Sequence, residues 1–228
     1  MSTWRIALLV AGKDLRVERR SRVVTNQVVP FAAVTMVMFA FALDADAVLQ
    51  RVAPGLVWLA TLFSLLVLVQ RSYAIETDDG ALDALRVAGV DPAALFWGKA
   101  LALAVQLAVL EVILIGTAVV LYGAEVRAEG LVLLVTTLVT ATCSLAVVGT
   151  LYGGLAAGFR GRETLLPLLV LPVVAPVLIG ATRAVEAALG TVPGAVVSEG
   201  WPWVGLLAVF AVAFGVGGTL AFGPLIDE

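Results

Sequence analysis

The sequence predicts an all-α integral membrane protein: six transmembrane helices with an amphipathic helix ahead of the first. Three observations carry that expectation. Six apolar stretches, at 23–43, 52–69, 101–122, 131–152, 165–181 and 201–222, can each cross a hydrocarbon core of about 30 Å, which takes roughly 17–25 helical residues. The chain is 61% hydrophobic with a mean hydropathy of +1.08, well above the about 45–50% apolar usage of soluble domains. Finally, 11 of its 14 Lys and Arg residues lie in the segments on one side of the stretches. A backbone in lipid must satisfy its own hydrogen bonds, so repeated runs of this kind mean a helical bundle forming a single transmembrane domain over 1–228.

Orientation follows from the basic residues. Arg5, Lys13, Arg16, Arg19, Arg20, Arg22, Arg71, Arg86, Lys99, Arg160 and Arg162 share a side, against Arg51, Arg127 and Arg183 opposite. The positive-inside rule then puts both termini in the cytoplasm. The net charge of −3 carries little weight here, because orientation follows basic residues rather than net charge. Aromatics fit a belt, with Tyr73, Trp97 and Tyr152 at the inner boundary and Tyr122, Trp201 and Trp203 at the outer one.

The segment 1–22 precedes the first span. Trp4, Leu8, Ala11 and Leu15 recur at helical spacing while Lys13, Arg16, Arg19 and Arg20 face elsewhere. Such a helix can run along the inner leaflet as an elbow, its basic face toward anionic headgroups, or serve only as a charged anchor. Span one, 23–43, has Thr25, Asn26 and Gln27 at its inner end and is followed by Ala45-Asp46-Ala47. Its apolar run exceeds the about 7–15 residues of a signal-peptide core, so the reading keeps it as a span.

After span two, 70–99 forms the longest cytoplasmic connection. Asp78 or Asp79 can cap a short helix over 81–88, with Gly89 as its stop and Leu82 and Leu85 on one face. Asp91-Pro92 is a cap followed by proline at a first helical position, and starts the helix that leads into span three. The loop reads either as a docking knob for a cytoplasmic partner or as a solvated connection.

Within span three lies Glu111, an intramembrane carboxyl that normally faces a bundle interior. It is either a functional charge or a hydrogen-bonded packing residue paired with a Thr or with Gln106. Span four ends in Gly149, Gly153, Gly154 and Gly158, spaced for close helix approach. Span five carries Pro167, Pro172 and Pro176, expected to kink or break it, as moving or static elements. Span six, 201–222, returns the chain to the side of its N-terminus.

Chemistry-bearing motifs are few. His is absent and Cys143 is the single cysteine, so there is no disulfide framework, no metal-ligand cluster and no imidazole for haem iron. No GxxxxGK[ST] loop is present, so ATP cannot be held by a Walker A motif of this chain. These absences favour a non-catalytic membrane subunit, energised by another protein.

Three stretches resemble the CcmB family, the membrane permease subunits of cytochrome c maturation ABC systems. They are the elbow from Lys13-Asp14-Leu15-Arg16 to Arg22; the loop from Glu76-Thr77-Asp78-Asp79-Gly80-Ala81-Leu82 through Leu85 to Lys99; and the proline-rich run from Leu165 to Ile179. The resemblance implies an ABC-2 exporter-type permease fold in a bacterial inner membrane. It implies that a CcmA-like ATP-binding subunit docks on Glu76, Asp78, Asp79, Gly80, Leu82 and Leu85 as a coupling helix. It further implies a CcmC-like haem-handling membrane protein and a small CcmD-like single-span subunit. Haem would be handled by the assembly and ATP bound by the partner, with no cofactor bound directly by this chain. Three other readings stay open: a permease of another ABC-2 exporter moving a drug, lipid or glycan; a secondary transporter coupled through Glu111, although no inverted repeat is visible; and a membrane-embedded enzyme, disfavoured because no cluster of catalytic or metal-binding residues appears.

Overall fold

In the computed structural model, which describes residues 2–43, 46–78, 89–124, 126–157, 162–192 and 194–227, every regular element is helical. Helix α1 (Thr3–Ser21) leads through one π-helical turn (Val24–Val28) into α2 (Val29–Ala42). Then follow α3 (Asp46–Asp78), α4 (Pro92–Tyr122), α5 (Leu131–Ala157), α6 (Arg162–Leu189) and α7 (Trp201–Asp227). Six segments are long and apolar enough to span a membrane: Val24–Ala42, Ala47–Ala74, Pro92–Tyr122, Ala128–Ala157, Thr164–Leu189 and Val197–Leu225. Each contains or nearly coincides with one predicted stretch. The protein is an all-α, multi-pass membrane protein.

The helices are longer than the hydropathy pattern suggests, and they take up much of the 70–99 connection. Residues up to Asp78 belong to α3 and those from Pro92 onward to α4. With 33 and 31 residues, these helices are about 50 and 46 Å long at 1.5 Å per residue, well beyond a hydrocarbon core. Hydropathy senses only the part of a helix that meets lipid; polar residues past that boundary continue the helix at little cost. The predicted start of α4 is where the sequence places it. Pro92 takes the first helical position and the Asp91 carboxylate accepts from the Ala93 N–H at 3.0 Å. Gly89, just before it, has φ +66°, a left-handed conformation suited to glycine.

Helix α5 is the hub, packed against α3, α4, α6 and α7. Its small residues make this possible. A Cβ on Gly149 would meet Leu65 and Val69 side-chain atoms at 2.9 and 3.0 Å, and one on Gly153 would meet Tyr73 and Val69 at 2.5 Å. On the other face, Gly154 receives the Phe222 ring of α7. Phe222 in turn packs on Phe96 of α4, with ring centroids 5.5 Å apart. Without a hydrophobic drive between helices in lipid, such close backbone approach is what holds a bundle together. Ser144 adds a polar tie, donating to the Leu207 carbonyl of α7 at 2.9 Å.

Of the kink or break expected at the span-five prolines, the structure excludes the break. Helix α6 is not broken at Pro167, Pro172 or Pro176; it is continuous from Arg162 to Leu189. Pro172 and Pro176 are exposed and Pro167 half-buried, while Leu166, Val170, Val174 and Val177 form the buried face. The Pro172 and Pro176 rings therefore lie on the outer side of the helix, and the backbone bonds the prolines forfeit are intrahelical, so no interhelical hydrogen bond is lost.

Helix α1 is the expected helix ahead of the first span, and it packs against the bundle. It runs lengthwise beside α4, in the same direction: Thr3 Oγ1 donates to Asp91 at 3.0 Å, and fifteen residues further on Glu18 shares a cleft with Gln106. Its buried side is Ala7, Val10 and Ala11, whereas Trp4 and Leu8, expected to share a face with Ala11, are 63% and 59% exposed. The seam depends on Gly98, where an added Cβ would meet Val10 Cβ at 2.6 Å and the Ala7 carbonyl oxygen at 2.8 Å. Gly98→Ala is accordingly expected to cost about 1–3 kcal/mol and to loosen α1. Faster proteolysis within 3–21, with the remainder of the bundle protected, would check this.

The turn out of α1 is built by Glu18. Arg22 closes the helix at φ 53°, its N–H donating to the Glu18 carbonyl at 2.7 Å. The Glu18 side chain then accepts from the Val24 N–H at 2.6 Å. One residue thus satisfies backbone groups on both sides of the corner.

Candidate functional site: a buried ion-pair node and an intramembrane carboxyl

Four helices meet at Lys99, near the end of the bundle where α1 begins. Its side chain is only 2% exposed, although the sequence places it among the topology-setting charges at a membrane boundary. Burying an ammonium is costly unless it is paired and hydrogen-bonded. Here Lys99 Nζ reaches Asp14 of α1 at 3.4 Å and donates to Ser72 Oγ of α3 at 3.2 Å. It also sits 4.6 Å from the centre of the Tyr73 ring, a cation–π arrangement. The Tyr73 hydroxyl donates to the Thr150 carbonyl of α5 at 2.8 Å, which brings the fourth helix in. Asp14 is additionally paired with Lys13 at 3.0 Å.

Tyr73 is therefore not a belt aromatic; it is 3% exposed and packs inside. Tyr122, expected at the outer boundary, is likewise buried at 2% and donates to the Met36 carbonyl of α2 at 2.8 Å. In both cases the ring fills the core while the hydroxyl finds a carbonyl on a neighbouring helix, the usual solution for a buried tyrosine. Trp97 acts similarly, its indole N–H donating to Thr219 Oγ1 of α7 at 3.0 Å.

Glu111 lies at the interface of α4 and α5 and is 1% exposed. Thr142 Oγ1 donates to its Oε2 at 2.6 Å, so the partner is a threonine of α5 rather than Gln106. The same hydroxyl lies 2.6 Å from the Leu138 carbonyl oxygen. A hydroxyl has one proton to give, so these two acceptors compete for it; a carboxylic acid proton on Glu111 would end the competition by donating back. The second carboxyl oxygen, Oε1, makes no hydrogen bond among the described residues.

The remaining predicted site residues sit beside the Lys99 node or outside view. Asp79, Gly80, Leu82 and Leu85 fall outside the described residues, as does Gly158. Glu76 and Asp78 lie in the last turns of α3, with side chains outside the described set. Ser72 and Tyr73, which hold Lys99, are one to two turns before them on the same helix. The structure thus brings the stems of the 79–88 connection onto one ion-pair node, while Glu111 stands apart, twelve residues along α4 from Lys99. The contributions of Asp14, Ser72 and Tyr73 were not anticipated from the sequence. The only available signal was Asp14 within the basic run Lys13–Arg16, a lone acid among cations.

Among the described residues no group of three or more His, Cys, Asp or Glu could hold a metal ion. Cys143 lies on the exposed side of α5.

The profile of the CcmB protein family matches residues 5–223, nearly the whole chain. Several relatives agree. The chain is 33% identical over 146 residues to the heme exporter protein B of Rhodobacter capsulatus, covering 64% of this chain and 66% of the relative. It is 28% identical over 188 residues to that of Pseudomonas aeruginosa, covering 82% and 83% of the two chains. With that of Haemophilus influenzae it shares 30% identity over 189 residues, covering 82% and 85%. The expected resemblance and the six-helix architecture coincide with these matches, and the chain belongs to the CcmB family.

Proposed function

We propose that this chain is the membrane subunit of an ATP-driven haem-handling assembly, and that its 79–88 connection receives the push of a separate ATP-binding subunit. One observation carries the reading. The two helices that flank the connection, α3 and α4, are locked to each other and to α1 and α5 through Lys99, Ser72, Tyr73 and Asp14. A displacement of the connection would enter the bundle through stems that move together rather than fray apart. In this reading the basic end, with both termini, faces the cytoplasm, where a CcmA-like subunit has access to Leu82 and Leu85.

The chemistry of the chain fits a subunit that handles haem without ligating its iron. It has no His, and its single Cys143 lies on the outer side of α5. Axial ligands would come from a CcmC-like membrane partner, with a small CcmD-like subunit alongside. The relatives' common name, heme exporter protein B, supports haem as the cargo class. Hydrolysis belongs to the partner, since this chain carries no Walker A loop.

The test is the double substitution Leu82→Asp/Leu85→Asp in the intact assembly. Membrane insertion should be unchanged, while co-purification of the ATP-binding subunit and ATP turnover by the assembly fall at least tenfold. Unchanged binding and turnover would refute the docking role of the connection.

A further inference from the structure

Between the second half of α1 and the outer side of α4 lies an open cleft of about 380 Å³, lined by Leu15, Glu18, Arg19, Arg22, Val105, Gln106 and Val109, with Val24 and Thr25 at its far end. It adjoins the Lys99 node, whose small cavity Gln106 also lines, but takes no part in the proposed coupling. Its lining is sharply divided. Arg19 and Arg22 are exposed, and their guanidinium groups have no ion-pair or hydrogen-bond partner among the described residues. Opposite them, Val105 and Val109 leave 40% and 53% of their surface open on a membrane-spanning helix. Glu18 is the only acid in the lining, and its carboxylate is turned to the backbone corner, accepting from the Val24 N–H at 2.6 Å and from the Ser21 hydroxyl at 3.5 Å.

Gln106 is the second telling group. It is half-buried within the Pro92–Tyr122 span, and no hydrogen bond satisfies its side-chain amide among the described residues. An amide left unpaired within a membrane span is costly. Two guanidinium groups call for a phosphate-like anion, which they bind by charge-assisted hydrogen bonds. The valines call for an acyl chain, and the amide for ester or glycerol oxygens between the two. A free phosphate would meet only the first demand and leave the apolar wall wet.

We infer that this cleft binds one anionic phospholipid, its headgroup phosphate between Arg19 and Arg22 and an acyl chain along Val105 and Val109. The lipid wedges α1 against α4 and neutralises the corner where the chain enters its first span. The inference is independent of which cargo the assembly handles.

The experiment uses the full chain, purified in mild detergent and incubated with an equimolar mixture of phosphatidylglycerol and phosphatidylcholine. Retained lipid is counted by native mass spectrometry, and thermal unfolding is followed in parallel. At least threefold enrichment of phosphatidylglycerol is expected, together with stabilisation by it. Arg19→Gln/Arg22→Gly should abolish the enrichment. This variant keeps the fold because Arg22 already has a left-handed φ of 53°, which glycine adopts without strain. Val109→Trp, which fills the apolar wall and leaves both charges, should also lower retention severalfold. Equal retention of the two lipids, or enrichment that survives either variant, would overturn the proposal. So would inorganic phosphate protecting as well as phosphatidylglycerol, which would make this a simple anion site. A Soret band carried by the purified chain and lost with the same arginine pair would reassign the cleft to a porphyrin dicarboxylate, and equally overturn it.

Discussion

Lys99→Met is expected to destabilise the protein by about 3 kcal/mol, because removing one partner of a buried ion pair leaves the other charge uncompensated. Lys99 is 2% exposed and Asp14 12% exposed. The effect is placed at the low end of the usual range because Asp14 keeps Lys13 at 3.0 Å. In a chain of this size that loss corresponds to a fall in unfolding temperature of roughly 6–12 °C. The loss should be largely recovered in Asp14→Leu/Lys99→Met, since a buried pair can be replaced by well-packed hydrophobic residues at little net cost. Thermal unfolding of the three purified variants separates the outcomes. If the single variant is as stable as the parent, the node does not hold the four helices together. A double variant that restores stability but not ATP turnover would separate the node's role in coupling from its role in packing.

The second large effect is at Glu111, where the two obvious substitutions should behave differently. Glu111→Lys puts a cation in the centre of a span, at a cost of about 2.5–3.5 kcal/mol, and should sharply reduce insertion and yield. Glu111→Gln should cost less than about 1.5 kcal/mol. An amide can donate to Thr142 Oγ1 just as a protonated acid would, leaving the Thr142 hydroxyl proton free for the Leu138 carbonyl. Yield, unfolding temperature and, under the proposed function, haem handling by the assembly in a host lacking the native subunit are the readouts. A Gln variant that folds normally yet loses function would assign Glu111 a role as a charge or proton carrier; a functional one makes it a packing residue.

The residues show which features were legible in advance. The Asp91-Pro92 start of α4 was readable because capping is local: one carboxylate, one proline and the next N–H suffice. The close approach at Gly149, Gly153 and Gly154 was readable for the same reason, since a missing side chain is a property of the residue itself. Tyr73 and Tyr122 were misread as belt aromatics because their position near a span end says nothing of which way the ring turns. The prolines of α6 were expected to kink or break it, and the helix is unbroken. Whether a missing N–H matters depends on what the outer side of the helix meets, and one chain's hydropathy does not show that.

What the sequence determined by itself is the number and order of the spans, the basic end of the bundle and the helical class. These follow from the free energy of moving short segments into lipid, a quantity each segment carries alone. What only the tertiary structure decided is which polar groups meet: Asp14 with Lys99 across 85 residues, Met36 with Tyr122 across 86, and Glu111 with Thr142 across 31. Each such group must find a partner to be buried at all. The periodicity of a helix says which face a residue occupies, but not which neighbour will be opposite it.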